Sequence, residues 1–385
     1  MLSRFIPAVW LARLLVLQTV VSAVLLASLG MATGIELAVG VSLNGLVTLA
    51  WCGTWLITAP LSRLGVAFVG CAVLVGLFPL FASNGSRSNS VYLLLLLTFV
   101  SSFFLLRTIP DVLPAQLPAW FFTAGVVAAS LFVVNLVWSI STGRAGQVSA
   151  GLVVASILAF APNRLPRLLA GAAGLLVLVA LLLDTARSAS TVVVFVLVFW
   201  MMIQPDVARL IRFAASGLLL LATLTYWWFV PTARDRMFGR DAALDIGIAA
   251  INVEGRDGVA TVLEGDRSVA QSLVGSGVGS ASKELQDAGF VLEQPHSEIQ
   301  RLWFELGALG LVIVCCILGA LAWRLYVSAR VKDSRRALVL FSLLCSMLIF
   351  GAFDNPLSYS WFMVPATVLL AWVLMPIQSR SPRTC

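Results

Sequence analysis

The chain alternates between long apolar runs and short polar interruptions. Runs such as Leu168–Leu183 and Phe213–Val230 lack the period-two alternation of a membrane strand, so they predict helices and not a barrel. Twelve candidate spans follow, near 8–29, 37–59, 64–82, 90–107, 118–139, 147–162, 168–184, 188–204, 213–230, 301–325, 336–353 and 357–376. Span 147–162 is short and ends at Pro162. After the ninth span the pattern changes, and residues 231–300 are polar overall. Within them, Ala242–Val253 and Asp257–Leu273 carry apolar residues at helical spacings, broken by Glu254-Gly255 and by Gly275-Ser276-Gly277-Val278-Gly279. Ser282–Gly289 adds a further short helical stretch. The expected fold is an all-α polytopic membrane protein of about twelve transmembrane helices. It forms a single membrane domain over 1–385, with one large external loop, 231–300, between spans nine and ten. Two or three short helices of that loop are expected to lie on the bundle with their apolar faces docked.

Composition agrees. Of the 385 residues 60% are hydrophobic and 11% charged, which would leave a soluble domain with an apolar surface. Arginine placement sets the orientation. With the N-terminus inside, cytoplasmic segments hold Arg4, Arg63, Arg107, Arg164, Arg167, Arg209, Arg212, Arg380 and Arg383, and the loop 324–336 adds Arg324, Arg330, Lys332, Arg335 and Arg336. Short external loops hold only Arg87, Arg144 and Arg187. That bias predicts both termini inside and 231–300 outside. The net charge of +7 is mostly this bias, touching anionic headgroups, and calls for no nucleic-acid partner. Arg4 and Arg13 around an apolar core look like a signal peptide, but eleven further spans favour an uncleaved first helix. No cysteine lies in the external loop and none has metal-ligand spacing, so neither disulfide, metal nor cofactor is expected. No internal repeat is visible.

Candidate chemistry concentrates around the external loop. His296 is the lone histidine and lies where the polar stretch meets the tenth span. Ser297 and Gln300 match a capping box, so a helix is expected to start there with His296 at its mouth. The plainer alternative is a surface histidine or one bonded to loop backbone. Glu298, Arg301 and Glu305 have the spacing of a helix-surface charge ladder. Arg187 sits in a very short turn, Asp184-Thr185-Ala186-Arg187-Ser188, where it faces a cavity or an anionic ligand, or else pairs with Asp184 or anchors at the interface. Arg256 opens a loop helix, and a solvated arginine is the default reading there. Arg267, Arg234, Arg236 and Arg240 compete with it. Gly275–Gly279 has the composition of a phosphate nest, but it follows no strand, so a turn between loop helices is the better reading.

The segment Pro295–Leu311 resembles the C-terminal signature of the O-antigen ligase and O-antigen polymerase superfamily. There a histidine precedes an aromatic- and leucine-rich helix with a Glu-x-Gly-x-x-Gly-like ending, here His296 and Glu305-Leu306-Gly307-Ala308-Leu309-Gly310. The family's arginine, apolar helix and Gly-x-Gly turn look like Arg256 through Gly275-Ser276-Gly277, and its Ser-Arg turn between spans looks like Ala186-Arg187-Ser188. Ser297 stands where asparagine is common and Ala186 where serine is common. The likeness covers most of 180–325 and says little about the first 150 residues.

The resemblance implies a glycosyltransferase-C-like membrane fold and a metal-independent, inverting glycosyl transfer at the outer face of a bacterial inner membrane. The donor would be an oligosaccharide on undecaprenyl diphosphate. His296 would be the general base, Arg187 and Arg256 would clamp the diphosphate, and Arg267, Glu298 and Arg301 would support the site. The acceptor is either a second lipid-linked glycan (a polymerase, with a chain-length regulator as partner) or phosphate-rich lipid A–core (a ligase). The loop 231–300 is net acidic, a poor match for an anionic acceptor, which favours polymerase. A lipid-linked glycan transporter or flippase and a non-catalytic export scaffold are readings of other classes. Against the transporter, the ionisable residues sit at the ends of spans.

Overall fold

The computed structural model describes residues 113–137, 143–162, 165, 167–238, 243–245, 250–252, 256–265, 267–277, 279–289, 297–353 and 360–374. The first four expected spans and His296 lie outside the described residues. The other eight expected spans each coincide with a helix: α1 (Leu113–Val137), α2 (Gly143–Phe160), α3 (Arg167–Leu183), α4 (Arg187–Met202), α5 (Arg209–Phe229), α10 (Glu298–Arg330), α11 (Ser334–Phe353) and α12 (Ser360–Leu374). Of these, α5, α10 and α11 are long and apolar enough to cross a membrane, and the other five contain shorter apolar stretches, Pro118–Val134, Gln147–Phe160, Arg167–Leu183, Arg187–Met202 and Pro365–Leu374. The chain is a helical membrane protein.

Why these residues form helices is clearest in α4. Its run Thr191-Val192-Val193-Val194-Phe195-Val196 is β-branched and aromatic and would favour a strand on a half-buried sheet. Away from water every backbone donor and acceptor must be satisfied within its own segment, and only a helix does that without neighbouring strands. The same residues then pack well: Val192, Val193, Val196 and Leu197 lie in the core with Val148, Leu152 and Ala155 of α2 and Leu340, Leu343 and Phe350 of α11. Small residues set the approach. A Cβ on Gly151 would lie 2.4 Å from Val192 Cγ1 and 3.2 Å from Ser346 Oγ, so α2, α4 and α11 meet at that level. Phe160 meets Trp372 edge-on at 4.9 Å, closing α12 onto α2.

The helix α5 lies on the rim. Leu210, Leu218, Leu221, Leu224 and Phe229 are exposed, a surface suited to hydrocarbon and not to water. Polar bonds fasten it at both ends. Tyr226 donates its hydroxyl to Leu182 O at 2.6 Å, and Arg212 donates to Met202 O at 2.7 Å.

The segment after α5 departs from expectation in two places. The expected helix over Ala242–Val253 is instead, where described, an antiparallel hairpin of β1 (Ala243–Asp245) and β2 (Ala250–Asn252), paired Ala243 with Asn252 and Asp245 with Ala250. Ile246, Ile248, Ile251 and Val253 are β-branched and Gly247 is a poor helix former, so backbone preference outweighed the apolar spacing. The expected helix over Asp257–Leu273 divides into α7 (Arg256–Glu264) and α8 (Val269–Val274). Ser268 ends the break with a reciprocal capping box: its Oγ accepts from Gln271 N, and its own N–H donates to Gln271 Oε1 at 2.9 Å. A short α6 (Pro231–Phe238) follows α5 directly, and α9 (Ser280–Asp287) fills the expected short helical stretch. Docking onto the spans is as expected: Val259 and Leu263 of α7 and Ala281 and Leu285 of α9 bury against Phe304 of α10.

Candidate functional site at the mouth of the bundle

The tenth expected span begins where the sequence places it. Ser297 caps α10, its Oγ accepting from Gln300 N at 3.3 Å and donating to Gly351 O at the end of α11 at 3.4 Å. His296 immediately precedes this buried serine.

Within α10 the backbone breaks. Gly307 has φ +58° and ψ −154°, outside helical values and in a region that strains side-chain-bearing residues. Such a break releases the carbonyls one turn earlier, and each finds a new partner. Ser276 N donates to Phe304 O at 2.9 Å, and Gly277 N to Glu305 O at 3.0 Å. Arg267 Nη2 donates to Trp303 O at 3.2 Å and Phe304 O at 3.1 Å, and also to Gln271 O at 2.6 Å. The 275–277 turn therefore repairs the interrupted ladder of α10.

The contact is too close for side chains. A Cβ on Gly275, itself at φ +83°, would fall 2.0 Å from Glu305 O, and one on Gly307 would fall 2.6 Å from the Leu273 carbonyl. At Gly310 a Cβ would lie 2.5 Å from Leu306 Cβ. Gly275-Ser276-Gly277 in the loop and Glu305-Leu306-Gly307 in the helix are thus two halves of one backbone contact, while Gly310 packs within its own helix. The glycine stretch is a turn between α8 and α9, as expected.

The charge ladder is a correction. Glu298, Arg301 and Glu305 were expected on the helix surface, but all are buried, at 3%, 5% and 2% exposure. Arg301 pairs with Glu298 and lies 3.9 Å from Glu305. The loop helices cover this face of α10. Glu305 meets the start of α9, where the backbone N–H groups of Gly279 and Ala281 face its carboxylate. A helix N-terminus is a favourable place for negative charge, so this end of α9 is taken by the protein's own carboxylate.

Arg267 is likewise fixed. Its guanidinium lies 5.4 Å from the Trp303 ring centroid and 5.1 Å from that of Phe304, and burial lowers its pKa against the raising effect of Glu264. Its hydrogen bonds go to backbone carbonyls, and it ties α8 to α10. Arg256 is the first residue of α7.

Arg187 is the first residue of α4 and half-buried, in a tight turn whose Thr185 takes φ +55°. Gln147 of α2 donates to Asp184 in this turn at 2.7 Å. Helix geometry places Arg187 relative to the mouth. Gly151, Val192 and Ser346 share one level of the bundle. Gln147, Arg187 and Gly351 each lie about four or five residues from that level towards the same end, a rise of roughly 6–7.5 Å. Ser297 bonds Gly351 at that end. So Arg187 and the start of α10 share the end of the bundle that carries α7, α8 and α9. The polar tie of Gln147 was missed in the sequence, although a glutamine in the first turns of an apolar span is a visible signal.

No family model matches the chain, and no characterised protein is significantly similar to it.

Proposed function

We propose that the chain is a metal-independent inverting glycosyltransferase of the O-antigen polymerase and ligase type, acting as a twelve-span protein of a bacterial inner membrane. Its termini face the cytoplasm and 231–300 faces the periplasm. One observation carries this reading: the loop motif and the helix motif on which the resemblance rests pack against each other through Gly275 and Gly307, on the helix that starts directly after His296 and Ser297. Two sequence-distant motifs are explained by one contact, and that contact supports their belonging to one functional unit.

The chemistry follows from the residue types. The acceptor hydroxyl attacks the anomeric carbon of the lipid-linked donor while His296 takes its proton. The glycosidic bond forms with inversion as the bond to the diphosphate breaks. Undecaprenyl diphosphate leaves with the bonding electrons, its charge held by Arg187 and Arg256 as paired guanidinium forks in place of a metal. A second lipid-linked repeat is the acceptor, because the 231–300 segment is net acidic and repels a phosphate-rich one.

Purified protein given undecaprenyl-diphosphate oligosaccharide and a chelator should lengthen chains without any other component. His296→Ala should lower turnover by about a hundredfold or more while donor binding persists. Arg187→Lys and Arg256→Lys should weaken donor binding, since lysine keeps the charge and loses the planar fork. Turnover of His296→Ala within a few-fold of the parent defeats the base assignment. Transfer to lipid A–core, and not to a second repeat, makes the enzyme a ligase.

A further inference from the structure

The end of the bundle opposite the loop carries a second, differently built site. The chain ends of α2 and α4 and the starts of α3 and α11 enclose a cavity of about 350 Å³. Buried Leu158, Ala170 and Leu338 close its floor, and most of its accessible lining is polar, with Arg167, Arg335 and Gln204 at the mouth. Trp200 also lines it, seated over Gly171, where a Cβ would lie 3.1 Å from the indole. Three other cations at this end are engaged locally. Arg212 bonds Met202 O, Arg330 stacks on Tyr326, and Arg336 pairs with Asp333 and stacks on Trp372. Arg335 is exposed and pairs with no acidic group among the described residues. Arg167 meets Asp206 in an exposed contact, which is weak and exchangeable.

We propose that this cavity binds the phosphate of an anionic lipid headgroup, with Arg335 and Arg167 as its cationic partners, Gln204 as a hydrogen-bonding side chain at its mouth, and the acyl chains lying over Leu168 and Leu169, the exposed apolar residues that follow Arg167. A basic cavity mouth beside exposed apolar helix surface, at the boundary of a helical bundle, matches the two halves of such a molecule. A soluble phosphate would use the cations and leave that apolar surface unused. The site stands apart from the proposed glycosyl transfer, and neither reading depends on the other.

The test uses full-length protein in neutral detergent, titrated with phosphatidylglycerol, phosphatidylcholine or inorganic phosphate, with bound lipid counted by native mass spectrometry. Phosphatidylglycerol should bind at least fivefold more tightly than phosphatidylcholine. Arg335→Glu should lose that preference, whereas Arg330→Glu, whose charge stacks on Tyr326 instead, should keep it. Leu338→Trp, which fills the cavity from its floor, should also lose it with the helices intact by circular dichroism. Equal binding of the two lipids, or a preference unchanged in Arg335→Glu, overturns the proposal. Displacement of phosphatidylglycerol by millimolar inorganic phosphate assigns the site to a soluble phosphate and overturns the lipid assignment.

Discussion

Two ion-pair sites, one at each end of the bundle, use the same side-chain chemistry in opposite ways. At the loop end, Arg301 with Glu298 and Glu305 is buried, its side chains between 2% and 6% exposed. At the other end, Arg167 with Asp206 leaves both side chains mostly exposed, at 63% and 68%. A buried cluster carries a large desolvation cost, and removing one member leaves the others charged and unmatched. An exposed pair is screened by solvent and contributes little. The loop end is therefore built to hold one geometry, and the arginine-rich end is built to exchange partners. A rigid mouth suits a site that must align two substrates, and an exchangeable rim suits a bound headgroup.

The largest expected effect lies where the rigid end has no slack. Gly275→Ala should destabilise by about 4 kcal/mol or more, because the new Cβ would meet Glu305 O at 2.0 Å and the backbone already holds φ +83°. Limited proteolysis should then cut the 256–289 region first, since its register on α10 depends on this contact. A protein that resists proteolysis as the parent does would show that the mouth is not rigid. Arg301→Leu should follow, at about 3–5 kcal/mol, measured by thermal unfolding in detergent. Adding Glu298→Gln and Glu305→Gln should recover much of that loss, since two unmatched carboxylates are then neutral. Failure of this rescue would assign Arg301 a packing role alone. Arg267→Lys should cost less, about 1–3 kcal/mol, because an ammonium replaces the stacked fork and leaves at least one α10 carbonyl unpartnered.

Eight expected spans coincide with helices, three of them long and apolar enough to cross a membrane, because apolar runs are a local signal. The sequence disclosed the start of α10 because Ser297 and Gln300 are a local signal. What it hid was long-range. The spacing of Glu298, Arg301 and Glu305 is the same whether their face meets water or α9, and only the folding back of residues 267–289 decides. Gly275 and Gly307 read as a turn and a helix interruption taken singly, and their mutual contact has no signature within either segment. The hairpin of β1 and β2 has a local signal instead, because Ile246, Ile248, Ile251 and Gly247 oppose the helical apolar spacing over Ala242–Val253. Of the candidate site, Arg187 and the start of α10 come to one end, Arg267 and Arg301 are engaged in holding that end together, and His296 lies outside the described residues.

The smallest effect tests the other half of the comparison. Asp206→Asn removes one partner of the exposed pair, and it should change stability by less than about 1 kcal/mol, with no greater loss in low salt. The guanidinium of Arg167 stays hydrated when Asp206 is neutral, so no buried charge is stranded. The same change should have a second consequence if the rim exchanges partners as argued. Asp206 competes with a lipid phosphate for Arg167, so neutralising it should tighten phosphatidylglycerol binding about twofold or more while phosphatidylcholine binding stays constant. Unfolding of Asp206→Asn several degrees below the parent would make the two ends energetically alike and end the contrast. Unchanged phosphatidylglycerol binding at unchanged stability would remove Arg167 from the headgroup site and leave Arg335 as its cation.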